Sequence, residues 1–449
     1  MAIVGLSCRF AGAPNPGALW RLIASRRSAL TPLDDETALP PGSANVFERP
    51  FPTHAGQLAA LYACTPRALT FPRQINAGEN QDLYFAVQLA HDALADAAIR
   101  PRTTDAMRGS VHLGYAPFFS PSNVNWLEHT FFIDQTMDIL GRFFPHAPAE
   151  SLDHVRTRLV ESLPPPDAQA FVSGTGHCMA DWIARECAFS GNASAIDAGV
   201  LSGASALAAA VDDLACGRAD IAIAGAVSPP LSRAALQGLS GCITFSAESS
   251  LVPFSRDASG TIPGEGGAFF VLKRRTDALA AHDRIYALVR CCTAGSAGPD
   301  DLLAEAASRS AVPISSIRLV EADGNGIPED DAKEIEAIQR LWGGHKPGGP
   351  LVGIGSVKGN IGHCLTASSA AGIMKATLAL RARVLAPQVA AARPRSELAN
   401  ISSSAYLLDE PLPWITGDPT SPRRAAVLAR DFAGRGAAVI LEEEPESRR

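Results

Sequence analysis

No stretch of 18 or more apolar residues runs free of charge in this sequence, which leaves no candidate for a membrane-spanning helix. A basic surplus is missing too. Lys and Arg number 39 against 46 Asp and Glu, giving a net charge of −7 and a pI near 5.8, whereas a phosphate-binding protein normally carries a basic stripe. The nine cysteines lack metal-ligand spacing and no secretory signal precedes them; the one close pair, Cys291 and Cys292, is adjacent in a strand-like run. These absences predict a soluble, cytoplasmic protein with reduced and mostly buried thiols, without a metal, and with neither nucleic acid nor membrane as partner. Charged residues make up only 19% of the chain and no sequence-level repeat is visible, so disorder is expected only at the extreme ends.

What is present is material for a large core: 449 residues, 47% of them hydrophobic. The 38 glycines and 33 prolines fall mostly in short clusters, as tight βα connections require. Runs such as Ile3 to Gly5, Asp220 to Ala224 and Phe269 to Lys273 are short, apolar and bounded by glycine, which predicts strands buried on both faces. Between such runs lie helical patterns. From Asp82 to Ala98, residues Leu83, Ala86, Leu89, Ala90, Ala93 and Leu94 recur at roughly helical spacing, and Leu201 to Leu214 reads as an Ala-rich core helix. The alternation argues for a layered α/β body. The second half repeats the logic of the first, with Leu351 to Gly355 entering Lys358 to His363 and then a helix from Ser368 to Leu380.

The segment SAIDAGVLSGASAL, Ser194 to Leu207, passes from an apolar strand through a tight small-residue turn into that Ala-rich helix. Such a turn presents its central side chain at a helix N-terminus, where the dipole and free N–H groups lower a thiol's pKa and stabilise an oxyanion. The central residue here is Val200, which does no nucleophilic chemistry.

Five further segments complete a pattern: AIVGLSCRF at 2–10 with GALW at 17–20, GRADIAIAGAV at 217–227, PFSRDASGTIPGEGG at 253–267, VEADG at 320–324 and GSVKGNIGH at 355–363. In that order they resemble the β-ketoacyl synthases of modular polyketide synthases, and the resemblance covers nearly the whole chain. It implies a thiolase-like α/β fold, with two similar halves in one five-layered α/β/α/β/α body. The first half, residues 1–235, carries the nucleophile position and a variable insertion at about 117–166, where Phe131, Phe132, Phe143 and Phe144 supply aromatic bulk for core packing or an acyl pocket. The second half, residues 236–449, carries Asp323, Lys358, His363 and Phe432. It implies a dimer as well. The family condenses with one cysteine and two histidines, which here read Val200, Asp323 and His363, with Lys358 in the frame of His363. At the C-terminal loop, where a phenylalanine gates the acyl channel and its amide helps form the oxyanion hole, Phe432 is kept while Asp431, Ala433 and Arg435 are atypical beside Gly434.

Ordinary Claisen condensation is therefore not expected. If the family geometry holds, Asp323 lies beside His363, orients it and raises its pKa, a dyad suited to general acid–base work on a carrier-bound acyl thioester, such as decarboxylation, dehydration or cyclisation. The alternative is a catalytically silent, chain-length-factor-like subunit pairing with an active ketosynthase. A condensing enzyme with a substitute nucleophile, Cys364, Ser202 or Ser205, is the remaining reading. The implied partners are an acyl carrier protein bearing a phosphopantetheine-linked acyl group, which Arg21, Arg26 and Arg27 or Arg100 and Arg102 would help dock, and a second copy or a ketosynthase as dimer mate. No cofactor of its own is called for. The segment from about Gly295 to Ile314 is shorter than in the family and borders the substrate entrance. With no carrier, acyltransferase or docking-helix pattern, the chain reads as free-standing.

Overall fold

Short runs of small and branched apolar residues, cut off by glycine at their ends, become the strands. The computed structural model describes residues 1–35, 37–40, 43–58, 81–100, 107–116, 121–165, 175–342, 351–389, 393–399, 404–416, 418 and 421–445. Its main sheet contains β1 Ala2–Phe10, β2 Gly109–Gly114, β3 Ala193–Ile196, β4 Ile221–Ser228, β5 Gly266–Lys273, β6 Ala287–Gly295, β7 Leu319–Glu321, β8 Val352–Gly355, β9 Ala405–Leu407, β10 Arg424–Arg430 and β11 Gly436–Glu442. The helices that frame the site are α1 Gln81–Asp96, α2 Ile133–Phe143, α3 Ala149–Ser162, α4 Gly176–Glu186, α5 Ser202–Ala215, α6 Pro299–Arg309, α7 Pro328–Leu341 and α8 Ser368–Ala382.

Strand order is β9-β8-β7-β10-β11-β6-β1-β5-β4-β2-β3. Outward from the middle, each half repeats one scheme. β1 pairs antiparallel with β5, β5 antiparallel with β4, and β4, β2 and β3 run parallel; β6, β11, β10, β7 and β8 do the same in the same sequence. A short antiparallel contact, Ala2 opposite Leu288 and Ile3 opposite Ala287, joins the halves. β5, which follows residue 235, pairs with β1 on one side and β4 on the other.

Three apolar clusters fill the spaces between layers. One joins α1 and α4 to the outer face of the first half-sheet, through Leu83, Leu89, Val111, Ile183 and Phe269. A second lies on the outer face of the second half-sheet, where Leu303, Ile335, Ile354 and Ile440 meet α6 and α7. The largest sits between the half-sheets, around α5 and α8. Five layers result, as the resemblance implies. The two central helices cross closely at Gly203, where a Cβ would lie 2.8 Å from both the Ala370 nitrogen and the Ala370 Cβ.

The aromatic insertion departs from expectation. α2 and α3 pack on each other as a helical pair, but Phe131, Phe132, Phe143 and Phe144 are 52%, 52%, 78% and 60% exposed, so they neither fill the core nor face a pocket. Of the arginines expected to dock a carrier, Arg21, Arg26, Arg27 and Arg100 are exposed, and Arg102 lies outside the described residues. No helix among the described residues is long and apolar enough to cross a membrane.

Candidate functional site

At the head of α5 the chain makes the turn that its small residues predict. Gly199 takes a positive φ of 56°, its N–H donates to Asp197 Oδ1 at 3.1 Å, and Val200 follows, buried. Ser202 is committed to this turn: its hydroxyl accepts from the Ala198 amide at 2.9 Å and donates to the Gly199 carbonyl at 2.7 Å, so it is no substitute nucleophile. Cys364 is no substitute either, because its full burial drives the thiol pKa far upward. Ser205 is half-buried on α5.

Asp323 follows β7 on a loop held by Glu334 of α7, whose two oxygens accept from the Asp323 and Gly324 amides at 2.7 and 2.8 Å. Asp323 Oδ1 meets the Lys358 ammonium at 2.7 Å and the Arg430 amide at 3.2 Å, and Lys358 Nζ also donates to the Asp323 carbonyl at 2.6 Å. Both side chains of the pair are 6% exposed. A parallel pair lies deeper, Lys375 against Glu321 at 2.6 Å. Burial pushes the Glu334 carboxyl up to about 8 and that of neighbouring Asp331 up to about 7, and the nearby Asp323 carboxylate pushes both further in that direction.

His363 is also buried. Its Nδ1 accepts from the Leu365 amide at 3.2 Å, so the ring hydrogen sits on Nε2, which has no hydrogen-bond partner in the protein. Phe432 stacks on the ring with centroids 5.7 Å apart. The expected dyad is not formed. Asp323 is ion-paired with Lys358, and His363 has its pKa lowered well below the ordinary imidazole value, first by burial and then by the Lys358 charge, the opposite of the rise that a carboxylate neighbour would cause.

The loop around Phe432 is closed on itself. Asp431 Oδ1 accepts from the Ala433 and Arg435 amides at 3.0 and 2.8 Å, Arg435 Nε reaches Oδ2 at 2.6 Å, and the Gly434 amide donates to the Asp431 carbonyl at 3.0 Å. The Ala433 and Gly434 amides are thus engaged within the loop. Asp431 therefore acts as the loop's internal clasp, a role its residue type signals in sequence. A cleft of about 270 Å³ opens beside α6 and α7 and reaches Asp323 and Arg430.

Sequence reasoning missed the three consecutive acids at the end of β11. Glu442, Glu443 and Glu444 are buried, and each is held by arginine: Arg290 and Arg424 on the first, Arg383 and Arg423 on the second, Arg275 on the third.

The chain is 26% identical to the spectinabilin polyketide synthase system protein NorA' of Streptomyces orinoci over 99% of its own length and 12% of that protein. It is 32% identical to a mycocerosic acid synthase-like polyketide synthase of Mycobacterium tuberculosis over 61% of its length and 13% of that protein. It thus spans less than a third of either relative. Among solved structures, the ketosynthase from module 6 of the bacillaene synthase of Bacillus subtilis superposes with a TM-score of 0.80 at 23% identity, covering 99% of this chain and 72% of that one. A PfaC keto synthase-chain length factor superposes at 0.78 with 21% identity, covering 99% and 48%. These likenesses show the thiolase-like fold. The description "Beta-ketoacyl synthase, N-terminal domain" matches residues 1–278 and "Beta-ketoacyl synthase, C-terminal domain" matches residues 291–392, so the chain belongs to the β-ketoacyl synthase family.

Proposed function

We propose that this chain is a non-condensing ketosynthase-like protein of polyketide biosynthesis, which holds a carrier-bound acyl thioester without extending it. The observation that carries the reading is the buried Asp323–Lys358 ion pair at 2.7 Å. Condensation needs a nucleophile to take the acyl chain and donors to receive a malonyl group. Val200 offers no nucleophile, Lys358 is already engaged, and the Asp323 carboxylate repels a second carboxylate.

His363 remains. Its neutral ring directs an unpartnered Nε2–H from a buried site under Phe432, and that donor suits a thioester carbonyl. Proton transfer by His363 alone would support dehydration or cyclisation within the roughly hundred- to ten-thousand-fold range typical of general acid–base assistance. Decarboxylation is disfavoured by Asp323. In this reading the substrate arrives on the phosphopantetheine arm of an acyl carrier protein, the chain supplies no cofactor, and it works as a homodimer or beside a ketosynthase.

A second reading, a silent chain-length-factor-like subunit, is favoured by Val200, which leaves no nucleophile at the head of α5. Intact-protein mass spectrometry of malonyl- and acyl-loaded carrier proteins, with wild type, Asp323→Asn and His363→Ala, separates the two. A mass or retention change lost in His363→Ala establishes an enzyme. No change with any carrier, together with elongation by a co-purified ketosynthase partner, establishes the silent subunit. Appearance of a two-carbon-extended product from this chain alone would sink both.

A further inference from the structure

The cleft between α6 and α7 lies on the outer face of the second half-sheet, and the proposed function makes no use of it. Leu428 and Arg430 stand two residues apart on β10, so their side chains leave the same face of the strand, and both line this cleft. Val427 and Ala429 face inward instead, toward Lys358 and Ser368.

Most of the carboxyl groups around the cleft are already engaged. Asp300 of α6 is paired with Arg340 of α7, and Asp323 with Lys358. Asp331 accepts from the Phe254 and Gly326 amides at 2.7 and 3.2 Å, as Glu334 does from the Asp323 and Gly324 amides. Because burial pushes these two carboxyls up to about 7 and about 8, neither carries a full charge near pH 7. Glu336 and Lys333 are exposed and of opposite sign. Asp330 Oδ2 accepts from Asn325 Nδ2 at 3.2 Å, while its Oδ1 has no hydrogen-bond partner among the described residues.

Arg430 is the cation left over. Its backbone N–H donates to Asp323, but its guanidinium, half-buried beside Gly434, pairs with no carboxylate and makes no hydrogen bond among the described residues. A guanidinium partly withdrawn from water with its N–H donors unengaged favours an anion, and its planar fork fits two oxygens of a phosphate at once.

We propose that this cleft is a phosphate-binding subsite, in which Arg430 forks onto two phosphate oxygens and Asp330 Oδ1 accepts from a hydroxyl or amide of the attached group. The ligand class is a phosphate ester whose head fits a space of about 270 Å³. Two sources share that chemistry, a 4′-phosphopantetheine arm and a nucleotide. The subsite does not rest on proton transfer by His363, so it belongs to an enzyme and to a silent subunit alike.

Calorimetric titration of the full chain with 4′-phosphopantetheine, pantetheine and AMP tests the assignment. Saturable binding of at least one phosphate ester is expected, equal in His363→Ala and weaker by on the order of tenfold or more in Arg430→Gln. Tighter binding of 4′-phosphopantetheine than of AMP makes the arm the source, and the reverse order makes it a nucleotide. Phenylglyoxal, which modifies arginine, gives a reading on wild type that needs no variant. Modification of Arg430, mapped by peptide mass spectrometry, should slow when the ester is bound, while that of the exposed Arg142 should not. The subsite is overturned if neither ester binds, if binding is lost in folded His363→Ala or undiminished in folded Arg430→Gln, or if the bound ester leaves Arg430 unprotected. Pantetheine binding as tightly as 4′-phosphopantetheine, with AMP inert, overturns it as well.

Discussion

Where the resemblance calls for an imidazole, Asp323 places a carboxylate, and the Lys358 ammonium turns to it. A single side chain thereby occupies the site's cation and leaves His363 without a carboxylate neighbour. It follows that restoring a thiol is not enough: Val200→Cys alone should give no extended product when incubated with acyl- and malonyl-carrier proteins, and elongation by that variant, read by mass spectrometry, would refute this account of the pocket. The pair also has a stability signature. Asp323→Asn leaves a buried ammonium unpaired and should cost about 3 to 5 kcal/mol in urea denaturation, while Asp323→Asn with Lys358→Met should recover much of that loss. If the double variant is as unstable as the sum of the two single changes, the pair is not the coupled unit described here.

At the scale of elements, the crossing of α5 and α8 sets where Val200 and His363 can stand, because each residue lies just ahead of one of these helices. The crossing tolerates no Cβ at Gly203 without displacement of Ala370. Gly203→Val should therefore destabilise by at least ~2 kcal/mol, a prediction that chemical denaturation checks, and it should alter the packing that holds both positions. The α2–α3 pair makes the opposite case. Phe143 and Phe144 are 78% and 60% exposed, so replacing both with serine should leave the unfolding free energy within ~0.5 kcal/mol of wild type. A larger loss would mean that these rings are covered in solution.

For the whole molecule, several carboxyl groups fold in a state that resists ionisation. Burial pushes Asp82 and Asp331 up to about 7 and Glu334 up to about 8. Unfolded carboxyls titrate near ~4, so between there and the raised values the folded protein holds more protons than the unfolded chain. Stability from these groups is fully present at acid pH and is lost as pH climbs through the raised values, at up to ~1.4 kcal/mol per pH unit for each group. The melting temperature should fall between about pH 5 and 8 and level off above that. Asp82→Asn, which keeps an acceptor for the Tyr115 hydroxyl, should flatten the slope; an unchanged slope would remove Asp82 from the account.

Much of the fold was legible because buried strands and small-residue helices impose patterns on adjacent residues. The turn at Val200, the helix from Ser368 and the strand before Lys358 all follow from such local rules. What escaped the sequence depends on pairs distant along the chain. Nothing near Asp323 reveals that Lys358, 35 residues on, claims it before His363 can. The Ser194–His112–Asp213 hydrogen bonds join residues 82 and 101 positions apart, and the five arginines that hold Glu442 to Glu444 come from four separate places in the chain. The outward Phe143 and Phe144 escaped for another reason, since hydrophobicity alone does not say which side of a helix pair is covered.

The position of β11 has a consequence for how this chain comes into being. It lies between β6 and β10, yet it is the last of the sheet's described strands to be synthesised. Until residue 442 has cleared the ribosome, β6 and β10 present bare edges to the nascent chain's surroundings, and the carboxylates that receive the five arginines do not yet exist. The sheet on the side of β6 and β10 can therefore close only after its final strand is made, whereas β1, β5, β4, β2 and β3 have all been made by Lys273.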